Sequence, residues 1–175
     1  FLTFVIGENG MDLALKVGLP SNQIIKTGNW LGPLLVAAAE NGVKKLLLFG
    51  YHGKLIKLSG GIFHTHHHLA DGRLEILTSL AFREGISFDL IELISKATSV
   101  ENALVALDSK YQEDVALIWS RMANEIEIKS LSYINRYLSS SMEIGSVLFD
   151  RQRQIRWAGL NGLKQINSLG IILKS

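Results

Sequence analysis

One apolar run constrains the fold of this 175-residue chain more than any other feature of its sequence. Within residues 44–49, four consecutive apolar side chains follow two lysines. Because a strand points alternate side chains to opposite faces, an uninterrupted apolar run predicts a strand that is buried on both faces. Such strands are typical of parallel sheets covered by helices on both sides, so the first expectation is an α/β fold.

The segments around this run alternate between strand-like and helix-like patterns. Strands are predicted at residues 1–6 and 22–27, and helices at residues 11–17 and 31–40. Asn9 is a suitable N-cap for the first of these helices. Because strand–helix–strand connections are right-handed crossovers between parallel strands, this order predicts a parallel or mostly parallel sheet flanked by helices.

The second half of the chain is rich in helix-like patterns. Helices are predicted at residues 54–58, 74–84, 90–97, 99–107, 110–138 and 160–168, and strands at residues 143–150, 154–158 and 171–173. Residues 98–101 and 109–112 match the capping box, in which a hydroxyl and a Glu or Gln side chain satisfy free N–H groups at a helix start. We therefore expect an α/β domain with a helix-rich second half.

One apolar stripe runs along the longest predicted helix at spacings of three, four or seven residues. Its members are Val115, Trp119, Met122, Ile126, Tyr133 and Tyr137. Side chains at these spacings share one helix face. We expect this face to be part of the core or a contact in a homo-oligomer, and not a cofactor-binding face.

Composition narrows the classes of function. The chain has 18 Lys and Arg against 16 Asp and Glu, a formal net charge of +2, which argues against a nucleic-acid partner. It has no cysteine, which excludes disulfides and Cys nucleophiles. No apolar stretch approaches the roughly 18 residues of a membrane helix, so no membrane partner is expected. Since the chain begins at Phe1 without an initiator Met, we expect it to be a piece of a longer protein.

All five histidines lie close together in the sequence, at His52, His64, His66, His67 and His68. Clustered imidazoles raise the hypothesis of a metal-dependent hydrolase. Three consecutive residues, however, point in different directions on a strand and on a helix, so they do not easily converge on one ion. We therefore expect no protein-bound metal, and a loop whose histidines make structural and substrate contacts.

Two predicted turns follow the first two strands and precede helices. The first contains Gly7, Asn9 and Gly10, and the second contains Gly28 and Asn29. A helix start offers free N–H groups and a positive dipole end, which suit a carboxylate or phosphate. Two glycines are also common in a purely structural turn, so both interpretations stay open. If the strands are parallel, both turns lie beside one crevice at the carboxyl edge of the sheet.

Charged residues flank the histidines on both sides. Lys54 and Lys57 are three residues apart and would share one helix face, suited to an acidic ligand or to solvent. Asp71, Arg73 and Glu75 follow the last histidine. Asp71 is either part of a site or a cap for the next helix, in which case Arg73 and Glu75 would pair.

The amino-acid sequences of these segments resemble those of a known family. Residues 50–66, Gly-Tyr-His-Gly-Lys-Leu-Ile-Lys-Leu-Ser-Gly-Gly-Ile-Phe-His-Thr-His, and residues 70–75, Ala-Asp-Gly-Arg-Leu-Glu, are similar to the signature of the CbiD family of cobalt-precorrin-5B C1-methyltransferases. Residues 7–10, 26–29 and 43–45 resemble that family in the same order. Family members are about twice as long, and the chain resembles their carboxyl-terminal half. The resemblance therefore implies that residues 1–175 are a single α/β domain, the C-terminal domain of a longer two-domain protein.

The resemblance implies methyl transfer from S-adenosylmethionine to C1 of a cobalt-containing tetrapyrrole, which gives cobalt-precorrin-6A in anaerobic cobalamin biosynthesis. It implies a cytoplasmic enzyme in which protein groups mainly position two reactants. An alternative is a non-catalytic domain that docks a corrinoid or a partner enzyme.

Under this resemblance, the candidate residues take specific roles. The methyl donor is expected at Gly7, Asn9, Gly10, Gly28 and Asn29. The carboxylates of the tetrapyrrole are expected at His52, Lys54, Lys57 and Arg73. The catalytic base is expected among His66, Asp71 and Glu75, with His66 favoured. These roles require the two turns and the histidine–acid–arginine segment to line one cleft.

Overall fold

The computed structural model describes residues 1–66, 68–108 and 111–171. Five strands form one sheet: β1 Leu2–Ile6, β2 Ile24–Thr27, β3 Lys45–Tyr51, β4 Glu143–Phe149 and β5 Ile155–Ala158. The helices of the described residues are α1 Met11–Lys16, α2 Leu31–Glu40, α3 His52–Ser59, α4 Arg73–Arg83, α5 Phe88–Lys96, α6 Val100–Asp108, α7 Gln112–Ile134 and α8 Leu160–Ser168. None of these helices has the length and apolarity needed to cross a membrane.

The sheet has the strand order β2-β1-β3-β4-β5. The first three pairings are parallel, and only β5 runs antiparallel to its neighbour β4. The prediction of a mostly parallel sheet flanked by helices is therefore confirmed. From β1 the chain moves to one side to form β2 and then crosses back to form β3 on the other side. The carboxyl ends of β1 and β3 thus form a topological switch point, where α/β sheets open a crevice for ligands.

The apolar run in β3 is buried on both faces, as its pattern predicts. Leu46 and Leu48 pack with α2 to α7 on one face, and Leu47 and Phe49 pack with α1 and α8 on the other. All four side chains are at most 1% exposed. The larger helical layer therefore lies on one face of the sheet, and the two short helices lie on the opposite face.

The apolar stripe of α7 is part of the core over most of its length. Val115, Trp119, Met122 and Ile126 are all buried, which confirms that part of the prediction. Tyr133 is partly buried, and Tyr137, beyond the end of the helix, is 63% exposed. A homo-oligomer contact at this exposed end stays a prediction.

Several helix starts differ from the sequence-based prediction. Asn9 is not an N-cap, because a 3-10 turn at Glu8–Gly10 precedes α1 and Gly10 occupies the cap position. The capping box at 98–101 is also wrong, because the hydroxyl of Ser99 accepts the Asn102 N–H at 3.1 Å.

Two further predictions lie partly outside the described residues. They are the capping box at 109–112, whose first two residues are not described, and the strand at 171–173, of which only Ile171 is described and is not in a strand.

Candidate ligand-binding cavity at the carboxyl edge of the sheet

A cavity of about 510 Å³, which we call the main cavity, lies at the carboxyl ends of β1, β3 and β4. Its lining residues are Ile6, Gly7, Asn9, Tyr51, Lys54, Phe149, Asp150, Arg151 and Arg153. The cavity therefore sits at the topological switch point of the sheet, and its size is within the range of small-molecule sites.

The turn after β1 forms one wall of this cavity. Gly7 has a φ of +92°, a conformation that favours glycine, and a side chain there would start 3.1 Å from the Lys54 ammonium. Gly10 is buried beneath the turn, where a Cβ would lie 2.7 Å from Val5. Gly7 and Asn9 therefore line the cavity, whereas Gly10 allows the turn to pack on the sheet. Donor binding by this turn stays a prediction.

The two lysines of α3 lie in different environments, so the prediction of a shared ligand-binding face is wrong. Lys54 lines the cavity, but Lys57 is only 1% exposed. The Lys57 ammonium donates hydrogen bonds to the carbonyl oxygens of Thr65, at 3.3 Å, and Ala70. Burial lowers the pKa of Lys57. The α3 helix is packed on most sides, so this lysine anchors the histidine-containing loop from within.

The second predicted turn contacts the histidine-containing loop instead of the cavity. Gly28 is exposed, and Asn29 receives two hydrogen bonds from Thr65, one at its backbone oxygen and one at Oδ1, both 2.9 Å long. The two turns are still neighbours, since the Gly7 N–H donates to the Thr27 carbonyl at 3.3 Å. Both lie at the same edge of the sheet, but only the first lines the described cavity.

The described histidines of the loop lie in a row, with the ring centroids of His64 and His66 6.4 Å apart. The ring of His64 lies edge-on to Trp30 with centroids 4.5 Å apart, and the rings of His66 and His68 are 5.1 Å apart. His67 lies outside the described residues. In the part of the chain that the structure describes, no group of three or more His, Cys, Asp or Glu side chains is arranged to hold a metal ion. The described residues therefore provide no set of ligands for the metal ion that a metal-dependent hydrolase would need.

His52 is separated from the other histidines and is fully buried. Its ring lies 5.0 Å from Trp119 and 5.8 Å from Trp157, and its Nε2 lies 3.1 Å from Glu101 Oε2. Burial lowers its pKa to about 4, so the ring is neutral at pH 7. The same Glu101 oxygen accepts the Tyr51 hydroxyl at 2.9 Å. The prediction that His52 binds substrate is therefore wrong, because its ring is enclosed by the core.

The acidic candidates lie at a second cavity, of about 240 Å³, which Asp71, Arg73 and Glu75 line together with residues 98–100. Arg73 donates two hydrogen bonds to Asp71, at 2.6 and 2.7 Å, so the alternative pairing of Arg73 with Glu75 is wrong. Arg73 lowers the pKa of Asp71 to about 2. The two cavities have no lining residue in common. The expectation of one cleft lined by all three segments is therefore corrected.

Sequence reasoning missed the wall that the end of β4 contributes. Asp150, Arg151 and Arg153 lie in the turn between β4 and β5 and line the main cavity. Asp150 is buried and accepts the Gln154 N–H at 2.9 Å, which fixes the turn. The signal in the sequence was the pair of basic residues directly after a predicted strand. These basic residues could be assigned to the cavity only once this strand was known to lie beside β3.

Comparison with known proteins gives consistent matches over nearly the whole chain. The family described as CbiD, C-terminal domain, matches residues 64–159. A protein named cobalt-precorrin-5B C(1)-methyltransferase from Prochlorococcus marinus strain NATL2A is 87% identical over 173 residues, and one of the same name from strain NATL1A is also 87% identical. A third of this name, from strain MIT 9313, is 56% identical over 170 residues. The first two alignments cover 99% of this chain and 45% of the relative, and the third covers 97% and 44%, so the chain spans about half the length of these relatives. No solved structure matches significantly.

Proposed function

Because the chain belongs to the CbiD family, we propose that it forms part of a methyltransferase that moves a methyl group from S-adenosylmethionine to C1 of cobalt-precorrin-5B. The product is cobalt-precorrin-6A, an intermediate of anaerobic cobalamin biosynthesis, and the setting is the cytoplasm. The names of its relatives support this reaction. The chain aligns with 45% of their length, so the remaining part of such a protein completes the substrate site.

The main cavity is the observation that carries this proposal. It lies at the topological switch point and contains both a residue pair assigned to the donor, Gly7 and Asn9, and one assigned to the substrate, Lys54. A volume of about 510 Å³ suits a molecule of the donor's size better than a whole macrocycle. The donor therefore occupies the cavity, and the macrocycle lies at its mouth.

The edge of the sheet beside the cavity offers a surface for the macrocycle. Trp30 is 66% exposed and lies at this edge next to the loop that contains His64 and His66. A flat ring system stacks well on an exposed indole. The carboxylates around the ring are of opposite charge to Arg73, which is 37% exposed. Lys54 lines the cavity itself, where its ammonium meets the carboxylate of the donor. This arrangement brings the two reactants together at one edge.

The chemistry needs positioning and one base. Carbon 1 of the macrocycle provides the electron pair of the new C–CH₃ bond, while the pair of the breaking S–CH₃ bond stays on sulfur and leaves a neutral thioether. A proton then leaves the macrocycle to a base. Asp71 is a weak base because Arg73 holds its pKa at about 2. Glu75 lies on the first turn of α4, whereas His66 lies two residues after His64, which pairs with Trp30, the residue on which the macrocycle stacks. We therefore assign the base to His66.

Calorimetric titration with S-adenosylhomocysteine, the demethylated donor, tests the proposal. We expect binding at one site of the 175-residue chain, and about tenfold weaker binding for Lys54→Ala, since a charged hydrogen bond to the ligand is lost. Lys164→Ala, which removes an exposed lysine of α8, is the matched control and leaves binding unchanged. Binding that is unaffected by Lys54→Ala would contradict the assignment of the cavity.

The alternative is a domain that docks a corrinoid or a partner enzyme without binding the donor. The observation that favours it is the 45% share of the relatives that the chain covers, since the donor site of such a protein can lie in the other part. No heat with S-adenosylhomocysteine, together with binding of a corrinoid, supports this alternative.

A further inference from the structure

The turn between β4 and β5 contains an unusual backbone conformation. Arg153 has a φ of 62°, and among the described residues it is the only one other than glycine with a positive φ. Its N–H donates to the Asp150 carbonyl at 3.0 Å, which closes the turn. A residue with a side chain is disfavoured in this left-handed conformation, whereas glycine adopts it readily. An arginine at such a position points to a use for its side chain.

The side chain of Arg153 lines the main cavity together with two other cations, Lys54 and Arg151. The acidic residue of this lining, Asp150, is 4% exposed and is engaged by the Gln154 N–H at 2.9 Å and by Arg156 at 3.4 Å. The wall therefore carries three cations and one carboxylate, and this carboxylate is already hydrogen-bonded within the turn. The wall has an excess of positive charge. An anionic ligand therefore fits this wall.

Arg153 forms an ion pair that a ligand can replace. Its Nη2 lies 2.8 Å from Asp12 Oδ2, and the two side chains are 44% and 78% exposed. Asp12 lies in the first turn of α1, directly after the turn that lines the cavity. An exposed ion pair of this kind contributes little to stability because water and salt screen it. A carboxylate that also meets Lys54 and Arg151 competes well with Asp12 alone.

We propose that Arg153 is the carboxylate anchor of the cavity, and that Asp12 holds its guanidinium in place until the carboxylate of a ligand replaces it. This inference rests on the proposed function, in which both reactants carry carboxylates: the donor at its amino-acid end and the macrocycle on its side chains. A guanidinium binds a carboxylate through two parallel hydrogen bonds, which fixes the orientation of the ligand as well as its position.

Two substitutions test the anchor, with binding measured by calorimetry and folding measured by thermal unfolding. Arg153→Gly removes the guanidinium but suits the left-handed backbone, so we expect an unfolding temperature that is unchanged or higher and carboxylate binding at least tenfold weaker. Asp12→Asn removes the competing carboxylate, so we expect binding two- to threefold tighter. Arg136→Ala, at an exposed arginine 17 positions before Arg153, is the control and changes neither quantity.

The choice of ligands identifies the source of the carboxylate. S-adenosylhomocysteine is compared with 5′-methylthioadenosine, which lacks the amino-acid end. Cobyrinic acid, a corrin with free carboxylates, is compared with cobinamide, in which they are amides. If Arg153 binds the donor, Arg153→Gly weakens S-adenosylhomocysteine alone. If it binds the macrocycle, Arg153→Gly weakens cobyrinic acid alone.

The outcomes separate this inference from the proposed function. Unchanged affinity of Arg153→Gly for all four ligands overturns the anchor, while a loss of S-adenosylhomocysteine binding in Lys54→Ala still supports the donor site. Conversely, binding of cobyrinic acid through Arg153 without any donor binding supports the anchor and contradicts the donor site. Failure of the unsubstituted chain to bind any carboxylate ligand overturns both.

Discussion

Helix α3 and the residue before it supply polar side chains to two regions that differ in kind. Tyr51 and Lys54 face the open cavity, whereas His52 and Lys57 point into the protein and are at most 1% exposed. The interior pair is held by protein groups, Glu101 for His52 and two carbonyl oxygens for Lys57. A polar residue of a signature segment therefore serves the fold when its hydrogen bonds are satisfied inside the protein. The cavity side of the same helix is where a ligand is expected.

The largest expected effect is at Lys57. Lys57→Ala leaves two buried carbonyl oxygens without their donor and opens space in the core, so we expect the free energy of unfolding to fall by about 3 kcal/mol. Urea denaturation of the variant measures this. Lys57→Met, which keeps the apolar stem, should lose less. A loss below about 0.5 kcal/mol for Lys57→Ala would contradict the distinction between the two regions, because the two lysines would then be equivalent.

The next effect is a pH dependence due to His52. Its pKa falls from 6.5 to about 4 on folding, so below pH 6.5 the unfolded chain takes up a proton that the native chain does not. Stability from this group is therefore complete above pH 6.5 and decreases as the pH falls toward 4, by an amount on the order of 3 kcal/mol. Urea titrations from pH 7 to pH 4 measure it. His52→Gln should flatten this part of the profile, and an unchanged profile would contradict the burial of a neutral ring.

A smaller effect is expected at Arg73, where the ion pair with Asp71 is at the surface. The two side chains are 37% and 49% exposed, so solvent screens their attraction. Arg73→Ala should lower the free energy of unfolding by about 0.5 kcal/mol, despite two short hydrogen bonds. Chemical denaturation at low and high salt distinguishes this from a structural role, because the difference between variant and parent should shrink at high salt.

The smallest effect on stability is expected at Lys54. Lys54→Ala removes a partly exposed side chain from the cavity wall, so the free energy of unfolding should change by less than about 0.5 kcal/mol. The same protein sample can be used for the ligand titration. Stability comparable to the parent together with weaker binding supports the contrast with Lys57, whereas a loss as large as that of Lys57→Ala argues against it.

Much of the fold was predictable because it depends on local patterns. The apolar run in β3 required burial on both faces, and the helix at Leu31–Glu40 was predicted with its observed ends. Gly7 and Asn9 were predicted at the cavity from the general position of turns that follow parallel strands. These predictions used only the order of strands and helices and their periodicity, which the sequence contains directly.

The parts of the site that failed depend on pairings between distant segments. Glu101 was interpreted as a local helix cap, but its carboxylate reaches His52 and Tyr51, about fifty positions earlier in the chain. Lys54 and Lys57 are chemically identical and lie on the same short helix, so no local sequence pattern shows which of them is buried. The basic residues after β4 gained meaning only when β4 was placed beside β3.

The α/β class and the positions of most helices and strands were already contained in the sequence, because they follow from residue order and periodicity. The family was also contained in it, through segments that resemble the family's signature. Which polar groups are used inside the protein, and which face a ligand, depends on the tertiary structure. The start of α8 also depends on the tertiary structure, because its Asn161 and Gly162 N–H groups donate to Glu127 of α7, at 3.1 and 2.9 Å. The physical reason is that burial and hydrogen bonding between distant segments depend on how the segments pack.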